Sequence, residues 1–291
     1  MTHRCGYVAL IGLPNVGKSS VMNALIGEEV AIVTPMPQTT RQRIAGIAST
    51  PESQVIFLDT PGVHLSDRAI NQAMVATTEA VLREADGRVL VVDASQVASS
   101  VRLPPAFLSH RWTCIVLNKI DLLSERVCTQ LQQQLGREFA TMISPVSAVR
   151  GDGIDSLRHH LVAALPEGPP LFPTDIYTEH SVRFLVAEWI RKAVIEHLAE
   201  ELPHAIAVEI EAFHEDAPCT RIEATIIVER ESQKGMVIGR GGRMIRAIGT
   251  TARQYMTACV GTHVYLGLRV RVERQWRTRP EQLRRFGFIR S

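Results

Sequence analysis

The octapeptide Gly12-Leu13-Pro14-Asn15-Val16-Gly17-Lys18-Ser19 constrains this 291-residue chain more than any other feature. It reads G-x-x-x-x-G-K-S, and its flanks suit it. Tyr7-Val8-Ala9-Leu10-Ile11 is an apolar run of strand length, and Val21, Met22, Leu25 and Ile26 mark one face of a helix over Lys18–Ile26. A glycine-rich turn between strand and helix turns its backbone N–H groups toward phosphate, and the helix N-terminus adds a favourable dipole. Lys18 is expected to neutralise charge on the β- and γ-phosphates, and Ser19 to offer its hydroxyl to Mg²⁺. Gly12, Asn15, Val16, Gly17, Lys18, Ser19 and Ser20 are therefore candidate phosphate-binding residues.

The rest of the first half fits an α/β class. Residues 44–49, 54–58, 89–92, 114–117 and 142–145 read as strands, and 68–83, 129–140 and 153–164 as helices. Apolar strands alternating with helices imply a mostly parallel sheet with flanking helices. Residues 28–41, with two prolines and a cluster of threonines and glutamines, read as an exposed loop.

Asn118-Lys119-Ile120-Asp121 stands at the carboxyl end of the strand over 114–117, the edge at which open α/β sheets bind ligands. A carboxylate at Asp121 accepts hydrogen bonds from guanine N1–H and the 2-amino group. Adenine lacks those donors and would leave the carboxylate unpaired. Asn118 is expected to brace the loops, and the Lys119 stem to cover the base. By itself N-K-x-D also fits a surface turn; its position downstream of the phosphate loop gives it meaning. Asp59-Thr60-Pro61-Gly62 follows another strand and supplies Asp59, to hold Mg²⁺ through water, and the Gly62 N–H, to sense the γ-phosphate. Ser147-Ala148 suits a backbone contact to guanine O6.

These four elements in this order resemble the translation-factor class of GTPases. Within it, Pro-Asn-Val-Gly-Lys-Ser and Pro37-Gln38-Thr39-Thr40-Arg41 resemble the Era-like family. The resemblance implies a Mg²⁺-dependent conversion of GTP to GDP and phosphate, with Lys18, Asn15, Thr40 and Gly62 as the catalytic set. It also implies that Thr40 joins Ser19 and Asp59 around Mg²⁺, with Thr39 as the alternative. Val63 stands where many GTPases carry a glutamine that orients water. A valine cannot do so, and the resemblance implies K⁺ beside the phosphates with Asn15 as its ligand. The stretch from Ala94 to Trp112 is shorter than in that family, which implies a trimmed surface element away from the site.

Residues 166–173 contain four prolines, which no helix or central strand accommodates. The expected division is a GTPase domain over 1–165, a Pro-rich linker over 166–180, and a second domain over 181–291. Charge separates the halves: residues 230–290 carry 14 Lys and Arg against 3 Asp and Glu, an excess that suits a polyanion. Within it, Gly239-Arg240-Gly241-Gly242 is a G-x-x-G between two apolar helical segments. It resembles the glycine loop of a KH domain, and the order helix–strand–strand–helix–loop–helix–strand matches the smaller α+β type II form. Such a loop lets the backbone approach the sugar-phosphate chain of single-stranded RNA. Lys234, Val237, Ile238, Gly239, Arg240, Gly241, Gly242, Arg243, Ile245 and Arg246 are the candidate RNA contacts. Val237, Ile238, Met244, Ile245 and Ile248 have core burial as the competing and commoner fate. The basic tail around Arg277, Arg279, Arg284 and Arg285 reads equally as an RNA contact or a solvated helix.

The resemblance further implies the 3′ end of 16S ribosomal RNA and the 30S subunit as partners, a role in small-subunit assembly, a monomeric state, and peripheral association with the membrane. Cys5, Cys114, Cys128, Cys219 and Cys259 form no CxxC pair, so neither a zinc site nor a disulfide framework is expected. No apolar run approaches 18 residues and no secretory leader is recognisable, so a cytoplasmic protein is expected. Two other functions fit parts of this pattern: an RNA-binding scaffold whose nucleotide site does not hydrolyse, and a P-loop kinase that prefers ATP.

Overall fold

A computed structural model describes residues 2–34, 36, 39–40, 43–62, 78–97, 111–198, 206–216, 219–260 and 263–286. The chain divides into two units. One comprises Met1–Ala31, Thr40–Asp67 and Asn71–Glu179, and the other Ile32–Thr39, Arg68–Ile70 and His180–Ser291.

The first unit is built on six strands: β1 (Arg4–Ile11), β2 (Ile44–Ser49), β3 (Ser53–Asp59), β4 (Gly87–Asp93), β5 (Cys114–Asn118) and β6 (Ile143–Pro145). Their order is β2-β3-β1-β4-β5-β6, and β2 alone runs antiparallel to its neighbour. β3 and β5 are buried at every residue, which is why they read as unbroken apolar runs rather than alternating ones. Helices α1 (Lys18–Ile26), α2 (Glu125–Phe139) and α3 (Ile154–Ala164) flank the sheet, together with helical residues 78–84. Ile11, Ile56, Leu58, Leu90, Ile115 and Leu117 pack with Val81, Leu82, Leu131 and Leu135 into one core. Parallel register aligns the carboxyl ends of β1, β3, β4 and β5, pairing Leu10 with Asp59 and Asp93 with Asn118.

The helix α1 occupies the residues that the spacing predicts. Of the helix expected over 68–83, residues 68–77 lie outside the described residues, as do Val63 and residues 98–110 of the stretch from Ala94 to Trp112. Ala94–Val97 forms a single helical turn. The loop over 28–41 is not uniformly exposed: Val30, Ala31 and Ile32 are buried. The Asn23 side chain accepts from the Val30 and Ala31 N–H groups and donates to the Ala31 carbonyl, tying down the start of the loop.

The proline-rich stretch is laid along the first unit. Cys5 N–H donates to the Pro166 carbonyl, Gly168 N–H to His3, and Ile47 N–H to Tyr177. Gln54, fully buried, accepts from Leu171 and Phe172 N–H at 2.8 and 2.9 Å and donates to the Phe172 carbonyl at 2.9 Å.

The second unit contains α4 (Val182–Leu198), β7 (Ala207–Asp216), β8 (Cys219–Val228), α5 (Glu231–Ile238), α6 (Arg243–Val260), β9 (His263–Val272) and α7 (Pro280–Arg285). β8 lies between β7, antiparallel, and β9, parallel. Alternate residues Ile222, Ala224, Ile226 and Val228 of β8 pack against Val186, Ile190 and Val194 of α4 and Ile248, Ala252 and Met256 of α6. Ile227, on the opposite face, packs with Ala207, Trp276 and Leu283. The basic tail is therefore docked on the sheet. Arg277 pairs with Glu229, and Arg285 with Glu209 and Glu273, while Arg279 and Arg284 stay exposed.

Candidate nucleotide and RNA sites

The first site sits where β1 turns into α1. Two of its glycines are dictated by space. A Cβ on Gly12 would fall 2.3 Å from the Val91 carbonyl oxygen, and one on Gly17, where φ is 90°, would fall 2.3 Å from Asn118 Nδ2. Asn15, at φ 64°, bends the loop between them. Val16 buries its side chain, leaving its backbone as the part able to meet a ligand.

Lys18 is buried and donates to the Gly12 and Leu13 carbonyls at 3.2 and 3.0 Å. Burial lowers its ammonium to about 8, with the charge of Asp59 pulling the other way. Burial likewise pushes the Asp59 carboxyl up, against the opposing effects of Lys18, Ser19 and Thr40. Both shifts have one cause, burial, which disfavours the charged form of each group, while the attraction between the two groups opposes it.

Ser19 Oγ donates to Asp59 Oδ2 at 2.5 Å and lies 2.8 Å from Thr40 Oγ1, which itself reaches Asp59 Oδ2 at 3.2 Å. Thr39 turns elsewhere, bonding Thr34 Oγ1 and the Met36 carbonyl. Of the two threonines, Thr40 is thus the one brought to Ser19 and Asp59. Among the described residues, Asp59 Oδ1 is buried with no hydrogen-bond partner. Gly62 lies against Pro14, where a Cβ would come within 2.7 Å of the proline backbone.

At the other end of the site, Asn118 Nδ2 donates to the Val16 carbonyl at 2.9 Å, and Asn118 Oδ1 accepts from Ala148 N–H at 3.2 Å. One side chain thereby joins the phosphate loop to the loop after β6. Ser147 Oγ donates to Asp121 Oδ1 at 2.6 Å, fixing the carboxylate. Lys119 Nζ donates to the Asn15 carbonyl at 2.7 Å and pairs with Asp93 at 2.5 Å. Asp93 is absent from the sequence-based set. Its signal is slight, since an aspartate ending an apolar run reads as a strand terminus. Ser20 is half-buried on the first turn of α1.

The second site is the turn between α5 and α6. Gly239, Gly241 and Gly242 have φ of 69°, 62° and 72°, and a Cβ on Gly239 would strike Met244 Cβ at 2.6 Å. Arg240, Arg243 and Arg246 are exposed around the turn, and Lys234, Ile238 and Ile245 are partly buried beside it. Of the two fates open to Val237, the structure places its side chain in the core. It is fully buried, as is Ile248, because α5 and α6 need these positions to seal against α4 and the sheet.

Comparison with known proteins identifies both parts. The family described as "50S ribosome-binding GTPase" matches residues 7–119, and the family described as "KH domain" matches residues 201–277. The curated protein GTPase Era of Syntrophus aciditrophicus is 42% identical over 292 residues, covering 98% of this chain and 95% of the relative. GTPase Era of Heliobacterium modesticaldum is 40% identical over 298 residues, covering 98% and 97%. Among solved structures, Aquifex aeolicus Era bound to GDP.AlF4- superposes with a TM-score of 0.92 at 35% identity, covering 98% of this chain and 99% of that one. Era in complex with MgGDPNP and nucleotides 1506–1542 of 16S ribosomal RNA superposes with a TM-score of 0.93 at 35% identity, covering 99% of each.

Proposed function

The chain belongs to the Era family of GTPases, and on that premise we propose that it is a GTP-driven checkpoint in assembly of the small (30S) ribosomal subunit. In this reading GTP favours a state that grips the single-stranded 3′ end of 16S ribosomal RNA, and hydrolysis releases it. The observation that carries the reading is the convergence of Ser19, Thr40 and Asp59 beside buried Lys18, in a chain that also presents the glycine loop.

The residues fit a Mg²⁺-nucleotide. Two hydroxyls and a carboxylate meet at one point, and the buried Asp59 Oδ1 still has an acceptor to offer. Ser19, Thr40 and Asp59 would hold the ion, which neutralises charge on the β- and γ-oxygens. Everything else falls to the protein. The N–H groups of the Gly12–Ser19 loop wrap the phosphates, and Lys18 places its charge on the β- and γ-phosphates. The Gly62 N–H reports the γ-phosphate, and Asp121 and Ala148 read the guanine edge. With valine at position 63, hydrolysis rests on positioning and charge, and Asn15 would hold a K⁺ that adds to that charge. The KH unit meets RNA phosphates with the backbone of Gly239–Gly242 and the guanidinium groups of Arg240, Arg243 and Arg246.

The reading includes a monomer that works in the cytoplasm and associates with the membrane only peripherally. Among the described residues, no helix is long and apolar enough to cross one.

Single-turnover hydrolysis in K⁺ and in Na⁺ buffers tests the cation, with faster turnover in K⁺ expected; equal rates would remove K⁺ from the mechanism. Filter binding of an oligonucleotide with the 16S 3′ sequence tests the RNA. Gly241→Asp keeps a residue type tolerant of positive φ and sets a carboxylate against phosphate, so affinity is expected to drop at least about tenfold. Unchanged affinity would place the RNA elsewhere.

A further inference from the structure

Asp93 belongs to none of the nucleotide motifs, yet its setting is that of a working residue. It ends β4 directly beside Asn118 of β5, and it is 3% exposed. A carboxylate kept out of water is costly unless paired and hydrogen-bonded, so its partners matter. Oδ1 accepts the Ser95 N–H at 2.9 Å and the Ser95 hydroxyl at 2.6 Å. Oδ2 meets Lys119 Nζ at 2.5 Å. Burial pushes the carboxyl up, but Lys119 and Ser95 outweigh it and hold the group below its ordinary value, so it is an anion at neutral pH.

Lys119 is pinned at both ends. Its backbone takes the left-handed conformation at φ 65°, unusual for a lysine, and its ammonium is shared between Asp93 and the Asn15 carbonyl. A lysine side chain left loose would lose considerable rotamer freedom each time it closed over a base. The Asp93 contact imposes that order in the protein itself. It also ties the strand end that carries Asn118 and Asp121 to the bend at Asn15 in the phosphate loop.

We propose that Asp93 is a positioning residue for guanine recognition: it fixes the Lys119 ammonium beside Asn15, so that the lysine stem stands ready as one wall of the base slot before nucleotide arrives. The proposal rests on the reading of Asn118–Asp121 as the guanine site.

The test uses the full-length chain and fluorescent GDP and GTP. Asp93→Asn keeps the shape and the Ser95 acceptor but removes the charge. Dissociation constants for GDP and GTP are expected to rise together by roughly tenfold, through faster release, while kcat at saturating GTP stays within about twofold. The Asp93→Asn, Lys119→Ala double variant should bind no more weakly than Lys119→Ala alone, since the aspartate acts through the lysine. Lys119→Met, which keeps the stem and loses the anchor, gives an independent arm and should also speed nucleotide release. Unchanged release rates in Asp93→Asn and Lys119→Met, or fully additive effects in the double variant, would overturn the proposal. Failure of the guanine reading is seen separately, as wild-type protein binding adenine and guanine nucleotides alike.

Discussion

Gly17 illustrates how a residue can be legible while its reason is hidden. The motif predicts a glycine at the helix start, and the positive φ agrees with that. The atom that forbids a side chain, Asn118 Nδ2, comes from a strand about a hundred residues away, and no local pattern announces it. Asp93 escaped sequence reasoning for the same reason, since its pairing with Lys119 exists only once β4 and β5 lie side by side. Val237 is the opposite case: the sequence offers both a contact and a core position beside the binding loop, and only its neighbours on α4 show the side chain in the core. Lys18 supports a prediction at this scale. Burial lowers its ammonium to about 8. A triphosphate beside it favours the charged form, so binding above that pH must take up a proton. Affinity for GTP is expected to be level between about pH 7 and 8 and to fall toward pH 9, by up to roughly tenfold per unit. Calorimetry in buffers of different ionisation enthalpy measures the proton directly. Proton release, or none, at pH 8.5 would contradict the assigned role.

Elements defined by internal periodicity were the readable ones. The helix spacing of α1 and the unbroken apolar runs of β3, β4 and β5 each carry their own evidence, and the structure extends them by a few residues at most. Elements whose place depends on a distant partner were not readable. The prolines of 166–173 forbid regular structure but do not say that the segment lies against β2 and β3. Trp276 and Leu283 do not reveal that the basic tail folds onto the outer face of the second sheet. Gln54 makes the first case testable. It is fully buried and satisfies three backbone groups of Leu171 and Phe172. Gln54→Ala would leave those groups to be rehydrated or unpaired, at a cost of about 2–3 kcal/mol. Urea unfolding of the first unit should show a lower midpoint, and hydrogen exchange should quicken at residues 171 and 172. Loss of stability without that local exchange would mean that Gln54 acts through the sheet and not through the strap.

For the whole molecule, charge and order give the division of labour. The first unit buries Lys18 and Asp59 at the carboxyl edge of a mostly parallel sheet, the edge at which open α/β sheets bind ligands. The second carries the excess of arginine around a turn made of left-handed glycines. Family membership gives these parts a common purpose, and the identity of the base is its first requirement. Swapping the hydrogen-bonding sense at Asp121 tests this most directly. Steady-state hydrolysis of GTP, ATP and xanthosine triphosphate is measured for wild type and for Asp121→Asn. Wild type is expected to use GTP and to discriminate against ATP by at least about a hundredfold. Asp121→Asn, which replaces an acceptor by a donor, is expected to prefer the xanthine nucleotide. A variant that keeps its preference for GTP, or a wild type that uses ATP equally well, would contradict guanine recognition at Asp121.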